Sequence, residues 1–208
     1  MATKQNLVEE AHKQVLGLQL PTDPRWADLT QISLEDILTD HAYCEQKAAT
    51  SCISLIQSYP ECAEMVRELA PIVTEEWGHF RSVLAELDKR GLQLGRQRKD
   101  EYVNELMKFQ VKREDRMERL VEKLLVFALI EARSCERFRL LSINLSEAHL
   151  QKFYHKFMVS EAGHYKLFIQ LAKKYAKSEE YVNQRWKEYL AFEADLVERL
   201  EVRGDRMH

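Results

Sequence analysis

Two short stretches of the same form, EEWGH in the first half of the chain and SEAGH in the second, constrain the fold most. Each places a glutamate three residues before a histidine, giving the pairs Glu76 with His79 and Glu161 with His164. Three residues of an α-helix turn through about 300°, so both side chains of a pair project from one helix face. Each pair lies among apolar residues at helical spacing, where an isolated carboxylate would be costly. A chain that buries such pairs must compensate their charge.

A further glutamate precedes each pair at almost the same distance. Glu45 lies 31 residues before Glu76, and Glu131 lies 30 residues before Glu161. Glu136 is an alternative to Glu131, but its spacing of 25 residues to Glu161 fits the repeat less well. The match extends to a glycine directly before each histidine, although a glycine inside a helix costs about 1 kcal/mol. The sequence therefore predicts an internal duplication of a helical hairpin.

Composition narrows both the fold class and the class of function. Six glycines, four prolines and 31% charged residues are typical of a helical protein with few turns. The 208 residues are enough for a single domain, over residues 1–208, with a substantial core. A formal charge of −3 excludes a strongly basic protein, although it leaves room for a local basic face.

The cysteines and the hydropathy of the sequence indicate the cellular compartment in which the protein is expected. The four cysteines are scattered and form no Cys-x-x-Cys pair. This usage indicates buried thiols in a reducing environment rather than a disulfide framework. No secretory signal opens the sequence, and no run approaches the ~20 apolar residues that a membrane span requires. We therefore expect a cytoplasmic protein with no membrane association.

Apolar residues recur at intervals of three and four, and no alternating strand pattern is found. The spacing predicts a first helical hairpin over residues 33–90, an irregular connection over residues 91–113 and a second hairpin over residues 114–175. An N-terminal arm (residues 1–29) and a C-terminal helix (residues 178–202) complete the domain. The arm contains a third Glu-x-x-His with no glutamate some 30 residues upstream, which we interpret as a chance match.

Individual residues predict where these helices begin or break. Ser33 with Asp36 resembles a capping box at the start of the first long helix. Pro71 should kink the second helix or split off a short piece of it. Ser146 can cap the fourth helix, and Ser178 can start the last.

Two antiparallel hairpins facing one another make a four-helix bundle whose centre would hold six ligands: Glu45, Glu76, His79, Glu131, Glu161 and His164. Two divalent cations would balance the four carboxylates, which without metal would repel one another and take up protons. Carboxylates with one imidazole per metal suit iron or manganese rather than structural zinc. This is the ligand pattern of di-iron carboxylate proteins. The predicted fold is therefore an all-α, ferritin-like four-helix bundle with additional short N-terminal and C-terminal helices.

A di-iron site with open coordination positions can bind and reduce dioxygen, which makes the chain a candidate oxidoreductase. Hydroxylation of a C–H bond then requires two electrons from an external donor, normally a reductase or electron-transfer protein. We expect Glu76 and Glu161 to bridge the metals and Glu45 and Glu131 to be terminal ligands. No catalytic residue beyond the metal ligands is predicted.

Four stretches carry a resemblance to a known family: DHAYCEQKAA (40–49), EEWGHF (75–80), LIEARSCERF (129–138) and SEAGHYKLF (160–168). They resemble the tRNA 2-methylthio-isopentenyladenosine hydroxylases, over about residues 25–200 and at all six ligand positions. The resemblance implies a non-haem di-iron monooxygenase with two iron ions as cofactor and O2 as co-substrate. Its substrate would be a tRNA anticodon stem-loop, in which the isopentenyl group of a hypermodified adenosine is hydroxylated at a terminal carbon.

An RNA substrate requires cations that contact phosphates. The candidates surround the connection or lie on the third helix: Arg90, Arg96, Arg98, Lys99, Lys112, Arg113, Arg133 and Arg137. The alternative is a solvated face in which these cations alternate with acidic residues. An apolar substituent also needs an apolar pocket, which could be lined by Phe127, Phe138, Phe157 and Phe168, although core packing explains most of them equally well.

Two other functions stay open at this point. The first is a ferritin-like di-iron oxidase or ferroxidase that acts on a small molecule or on iron, without RNA. The second is a helical interaction module whose buried carboxylates bind no metal.

Overall fold

The computed structural model describes residues 16–23 and 25–208, so much of the predicted N-terminal arm, including its Glu9-x-x-His12, lies outside the described residues. Within them the regular elements are helical and no strand occurs, which confirms the prediction of an all-α chain. The helices are α1 (Arg25–Ile32), α2 (Leu34–Ser58), α3 (Ala63–Lys89), α4 (Glu101–Phe109), α5 (Arg116–Asn144), α6 (Ala148–Tyr175) and α7 (Glu179–Arg199). None of the helices in this part of the chain is long and apolar enough to cross a membrane.

The described residues divide into two compact units. The α2–α3 unit comprises Asp28–Lys99 and Arg203–Met207. The α5–α6 unit comprises Asp100–Val202 and His208, together with the described residues up to Ala27. The boundary falls inside the predicted connection, after Lys99, so each unit contains one of the two predicted hairpins.

In the α2–α3 unit, helices of 25 and 27 residues pack against each other and are joined by only four residues. A link this short makes consecutive helices antiparallel neighbours. Their facing sides bury apolar residues that include Ile37, Leu55, Met65 and Val83. The predicted first hairpin is thus observed.

Of two local predictions about this hairpin, the capping box at Ser33 is wrong, and at Pro71 the expected alternative of a split helix is not observed. Ser33 precedes α2, but its hydroxyl makes no capping bond; it donates to the carbonyl oxygens of Leu29 and Gly204, while Asp36 pairs with Arg98. Pro71 lies inside α3 without splitting it. The proline is exposed whereas its neighbours on the apolar stripe are buried, so core packing holds the helix together on both sides.

The α5–α6 unit is built on a second hairpin, in which helices of 29 and 28 residues pack along their length. Asp115 starts α5, because its side chain accepts a hydrogen bond from the backbone N–H of Glu118 at 2.9 Å. The residue before α6 is Glu147, which makes no side-chain cap bond, so the predicted cap at Ser146 is wrong. At α7 the predicted cap is confirmed, because Ser178 Oγ accepts from the N–H of Tyr181 at 3.2 Å.

The predicted irregular connection contains a helix, α4. Asp100 caps it by accepting a hydrogen bond from Val103 N–H at 3.0 Å, and its apolar side buries Tyr102 and Leu106. The expectation of an irregular segment over residues 91–113 is therefore wrong for its second half. With nine residues, α4 is too short to stand out from sequence periodicity alone.

A buried cluster of polar side chains fastens α7 to α5. Arg185 contacts both carboxylate oxygens of Glu122 at 2.8 Å, and the Tyr189 hydroxyl donates to the same group at 2.7 Å. Burial alone would raise the pKa of Glu122, but these hydrogen bonds outweigh burial and the pKa is lowered. The carboxylate is therefore ionised and fully engaged in holding α7 in place.

Candidate metal centre

The α2–α3 unit brings three predicted ligands together. Glu45 lies on α2, and Glu76 and His79 lie on α3, with one ligand atom of each within 4.8 Å of the others. Glu45 and Glu76 are buried, whereas the His79 side chain is 17% exposed. We call these residues the α2–α3 triad. Its two glutamates come from different helices, so the helix pairing of this unit is what forms the triad.

A proton on His79 offsets part of the negative charge of this triad when no cation is bound. His79 Nδ1 lies 3.2 Å from Glu45 Oε2 and 3.4 Å from Glu76 Oε2. Burial lowers the pKa of His79, but hydrogen bonds and attraction from both carboxylates raise it further, to about 10. A cation in this position would replace the proton, because a histidine must be neutral to serve as a metal ligand.

The α5–α6 unit contains an equivalent set, the α5–α6 triad. Glu131 lies on α5, and Glu161 and His164 lie on α6, again with one ligand atom of each within 4.8 Å of the others. All three side chains are buried, and His164 Nδ1 lies 3.5 Å from Glu161 Oε2. Each unit therefore contributes two carboxylates and one imidazole. That donor set fits iron or manganese. It contains no thiolate, whereas structural zinc sites commonly have thiolate ligands.

One residue near the α2–α3 triad was not predicted. His41 is fully buried on α2, and its Nε2 lies 2.8 Å from Glu45 Oε1. The other oxygen of Glu45 faces His79, so this carboxylate lies between two imidazoles. A histidine four residues before a ligand, on the same apolar stripe, was the signal that could have identified it. The corresponding position in the α5–α6 triad, four residues before Glu131, is Phe127.

The aromatic residues predicted to line a pocket pack against one another in the α5–α6 unit. Phe138 and Phe157 are buried with ring centroids 5.4 Å apart, as expected of core residues. Phe127 and Phe168 form an edge-to-face pair at 5.7 Å. Phe127 is one helical turn from Glu131, and Phe168 is one turn from His164, so this second pair borders the triad.

Two of the predicted RNA contacts are interior residues, and that prediction is wrong for them. Arg133 is fully buried, with its guanidinium 2.7 Å from Glu193 and 2.6 Å from Glu136. Arg137 is also buried and lies over the Trp26 ring, 5.0 Å from its centroid. Burial, together with the nearby Arg133, lowers the pKa of Arg137 to about 10. Neither guanidinium is available to a phosphate.

The remaining candidates fall into two groups. Arg90 lies 3.1 Å from Glu86, Arg98 pairs with Asp36 and Asp205, and Arg113 bonds to Tyr181 and lies 3.8 Å from Glu118. Acidic neighbours thus already neutralise these three. The exposed ones are Arg96, Lys99 and Lys112.

The helical fold and the two largely buried triads define a ferritin-like protein with carboxylate–histidine clusters suited to metal. The chain belongs to the family described as tRNA-(MS[2]IO[6]A)-hydroxylase (MiaE), which matches residues 7–208. This confirms the resemblance predicted from the four sequence stretches.

Individual relatives agree with this membership. The chain is 36% identical, over 76% of its length and 76% of the relative's, to the tRNA 2-(methylsulfanyl)-N(6)-isopentenyladenosine(37) hydroxylase of Pseudomonas putida. It is 26% identical to the protein of the same name from Salmonella typhimurium, over 86% of this chain and 83% of the relative. Among solved structures it is similar to a Synechococcus protein with aldehyde deformylating oxygenase activity. That match has a TM-score of 0.84 and 30% identity, and covers 92% of this chain and 94% of the other. The predicted ferritin-like fold is thereby confirmed.

Proposed function

We propose that this protein is an O2-dependent di-iron monooxygenase that hydroxylates the isopentenyl group of 2-methylthio-isopentenyladenosine in tRNA. One observation carries the proposal: each unit of a chain from this hydroxylase family presents a triad of two carboxylates and one histidine. A triad with two ionised carboxylates and a neutral imidazole carries two negative charges, which one divalent cation balances. We assign two irons to the six residues of the two triads.

Iron bound by these residues would supply the reduction of dioxygen. One oxygen atom enters a C–H bond of the isopentenyl group as a hydroxyl, and the other leaves as water. Two electrons from an external donor and two protons complete the balance, so an electron-transfer protein or reductase is an expected partner. Burial of Glu76, Glu161 and His164 keeps water from the ligand atoms, which protects such a reaction from unproductive loss of electrons.

The two triads differ in what they offer a substrate. The α5–α6 triad is bordered by the Phe127–Phe168 pair, an apolar surface on which a branched five-carbon group can pack. The α2–α3 triad is instead bordered by His41. We therefore assign the isopentenyl group to the Phe127 side. The rest of the substrate is an anticodon stem-loop, in keeping with the names of the relatives.

The proposed reaction is tested by mass spectrometry of tRNA nucleosides from cells that lack the protein. Loss of the hydroxylated nucleoside, with accumulation of its isopentenyl precursor, is expected, and re-expression of the chain should restore it. Re-expression of Glu76→Ala should not, whereas Glu68→Ala, an exposed glutamate on the same helix, should. Unchanged hydroxylation in the deletion strain would leave the ferritin-like oxidase or ferroxidase as the better assignment.

Metal content is tested separately on protein purified after iron-supplemented expression. About two irons per chain are expected. His164→Ala should lose iron, whereas His155→Ala, an exposed histidine on the same helix, should keep it. Well-folded protein without metal would favour the interaction module.

A further inference from the structure

Positive charge is unevenly distributed over the helices. α6 contains five lysines and a single acidic residue, the buried ligand Glu161. α3 and α7 by contrast each contain six acidic and three basic residues. In a chain with a formal charge of −3, this makes α6 the helix whose solvent-facing side is most clearly cationic.

Three of these lysines share one exposed face. Lys152, Lys156 and Lys166 are exposed, and the positions between them on the same side are Val159 and Gly163, also exposed. Successive spacings of four, three, four and three residues keep all five within one side of the helix. At 1.5 Å per residue the row is about 21 Å long. We call the three lysines the α6 lysine face.

These three ammonium groups are not neutralised in the part of the chain that the structure describes, where no salt bridge involves them. Lys173, on the same helix, differs because it lies 3.2 Å from Glu179. The predicted contacts Arg90 and Arg98 also have acidic partners. A cation without a partner gains more from a phosphate, since it loses no ion pair on binding and releases the phosphate's counterions.

We propose that the α6 lysine face binds the phosphate backbone of the tRNA substrate, an assignment that rests on the proposed function. Glu161 is nine residues from Lys152, two and a half turns, so the ligand and the lysines lie on opposite sides of the helix. The face therefore contacts nucleotides remote from the one being modified, which we assign to the anticodon stem. Gly163 has no side chain, and the space beside it is open because a Cβ there would meet no atom within 4 Å, so a phosphate backbone can approach the helix closely at the centre of the row.

The proposal predicts a separation of binding from chemistry. Phosphate contacts remote from the reacting group stabilise the ground state and the transition state equally. Removing them should raise KM for RNA and leave kcat at saturating RNA unchanged. Glutamine at these positions keeps helix propensity, so the fold and the ligands Glu161 and His164 are retained.

The test compares two triple variants that each remove three exposed positive charges. K152Q/K156Q/K166Q removes the α6 lysine face, and R96Q/K99Q/K112Q removes the exposed cations of the connection. The probe is an anticodon stem-loop RNA carrying 2-methylthio-isopentenyladenosine, and Kd is measured at several salt concentrations. For the first variant we expect binding weaker by on the order of tenfold and a log Kd–log salt slope smaller by about two to three, roughly one for each lysine removed. In the connection variant, the Kd and the slope of its salt dependence should both change less than in the first variant.

The outcomes separate this proposal from the proposed function. Wild-type protein that neither binds nor hydroxylates the RNA would count against the function itself. A second outcome requires that wild type binds and hydroxylates the RNA. If the α6 variant then binds the RNA as tightly as wild type, whereas the connection variant binds it more weakly, the α6 assignment is overturned. It is overturned equally if the α6 variant binds RNA normally but accepts electrons more slowly from its donor protein, since the face would then dock an acidic partner.

Lys166 is two residues from His164, so iron content is measured on each variant. If K166Q lowers the iron content, the double variant K152Q/K156Q is used instead, because both of its substitutions lie further from the ligands. Its Kd and salt dependence are then compared with those of wild type. Normal salt dependence in that pair would equally contradict the proposal.

Discussion

At the scale of single residues, His41 sets the two triads apart. Its imidazole lies 2.8 Å from Glu45, whereas Phe127 occupies the corresponding place before Glu131. A polar group that touches a metal ligand fixes the ligand's orientation, and losing such a partner typically costs 10–100-fold in metal affinity. We therefore predict that His41→Leu weakens iron binding by roughly this factor, for only one of the two irons proposed above.

A metal titration followed by absorption checks this prediction. The His41→Leu titration should become biphasic, with one equivalent bound as tightly as in wild type and one more weakly. His155→Leu, at an exposed position of α6, is the control. A single tight phase for both equivalents in His41→Leu would show that Glu45 needs no such partner.

Arg133 illustrates the opposite case, a charged residue whose function is internal. Its guanidinium contacts Glu136, Glu193 and Thr22, and removing it leaves two buried carboxylates without their cation. Breaking a buried ion pair on one side costs about 3–5 kcal/mol. Arg133→Met should therefore lower the free energy of unfolding by about that amount, measured by urea denaturation.

The control for Arg133 is Arg67→Met, an exposed arginine on α3, which should change stability by less than about 0.5 kcal/mol. In the RNA-binding assay, folded Arg133→Met should keep the salt dependence of wild type. A reduced salt slope would restore Arg133 to the list of phosphate contacts.

At the scale of elements, helix starts were predictable where the cap residue is isolated from competing partners. Ser178 caps α7 as predicted, because its hydroxyl has the Tyr181 N–H within reach. Ser33 has the same local signal, yet its hydroxyl bonds to Gly204, 171 residues away in sequence. No local pattern contains that contact. Sequence thus predicted the helices well and their capping bonds only in part.

The distinction between local patterns and contacts distant in sequence also explains which parts of the candidate site were predictable. Four of the six proposed ligands were identified because helical spacing places a Glu and a His on one face, and Glu45 and Glu131 because they precede these pairs at nearly equal distances. The state of a cation depends instead on distant partners: Arg133 meets Glu193, which is 60 residues away. Sequence alone therefore could not separate buried arginines from exposed ones. The sequence does contain a signal for the lysines of α6 as phosphate contacts, because their helix has five lysines and only one acidic residue. The sequence prediction did not include them.

Pro71 allows a test of what holds α3 together. Proline in a helix interior costs about 3 kcal/mol relative to alanine, partly offset by about 1 kcal/mol from its restriction of the unfolded chain. Because α3 continues through this residue, its buried stripe must outweigh that cost. We expect Pro71→Ala to raise the free energy of unfolding by about 2 kcal/mol, measured by urea denaturation. Glu68→Ala on the same helix should change it little, and no gain for Pro71→Ala would mean that the helix bends to accommodate the proline without cost.

At the scale of the whole molecule, the internal repeat raises the question of whether the two triads bind metal independently or together. Each unit holds a triad of the same composition, and each triad could bind one divalent cation by itself. Two separate mononuclear sites would also account for the charge balance. Reduction of dioxygen with insertion of one atom is better served by two irons acting together, as in di-iron carboxylate proteins, so cooperation between the irons is the property to be measured.

A double-mutant comparison distinguishes one shared centre from two separate sites. If the irons share ligands, Glu76→Ala in one unit and Glu161→Ala in the other should each lower iron content well below the roughly one per chain that an intact second site would retain. The double variant should then lose little more, because residues that act as a unit are non-additive. Independent sites would instead keep about one iron in each single variant and none in the double. Magnetic coupling between the irons, measured by Mössbauer spectroscopy, should disappear in both single variants and persist in Glu68→Ala, since coupling requires bridging ligands.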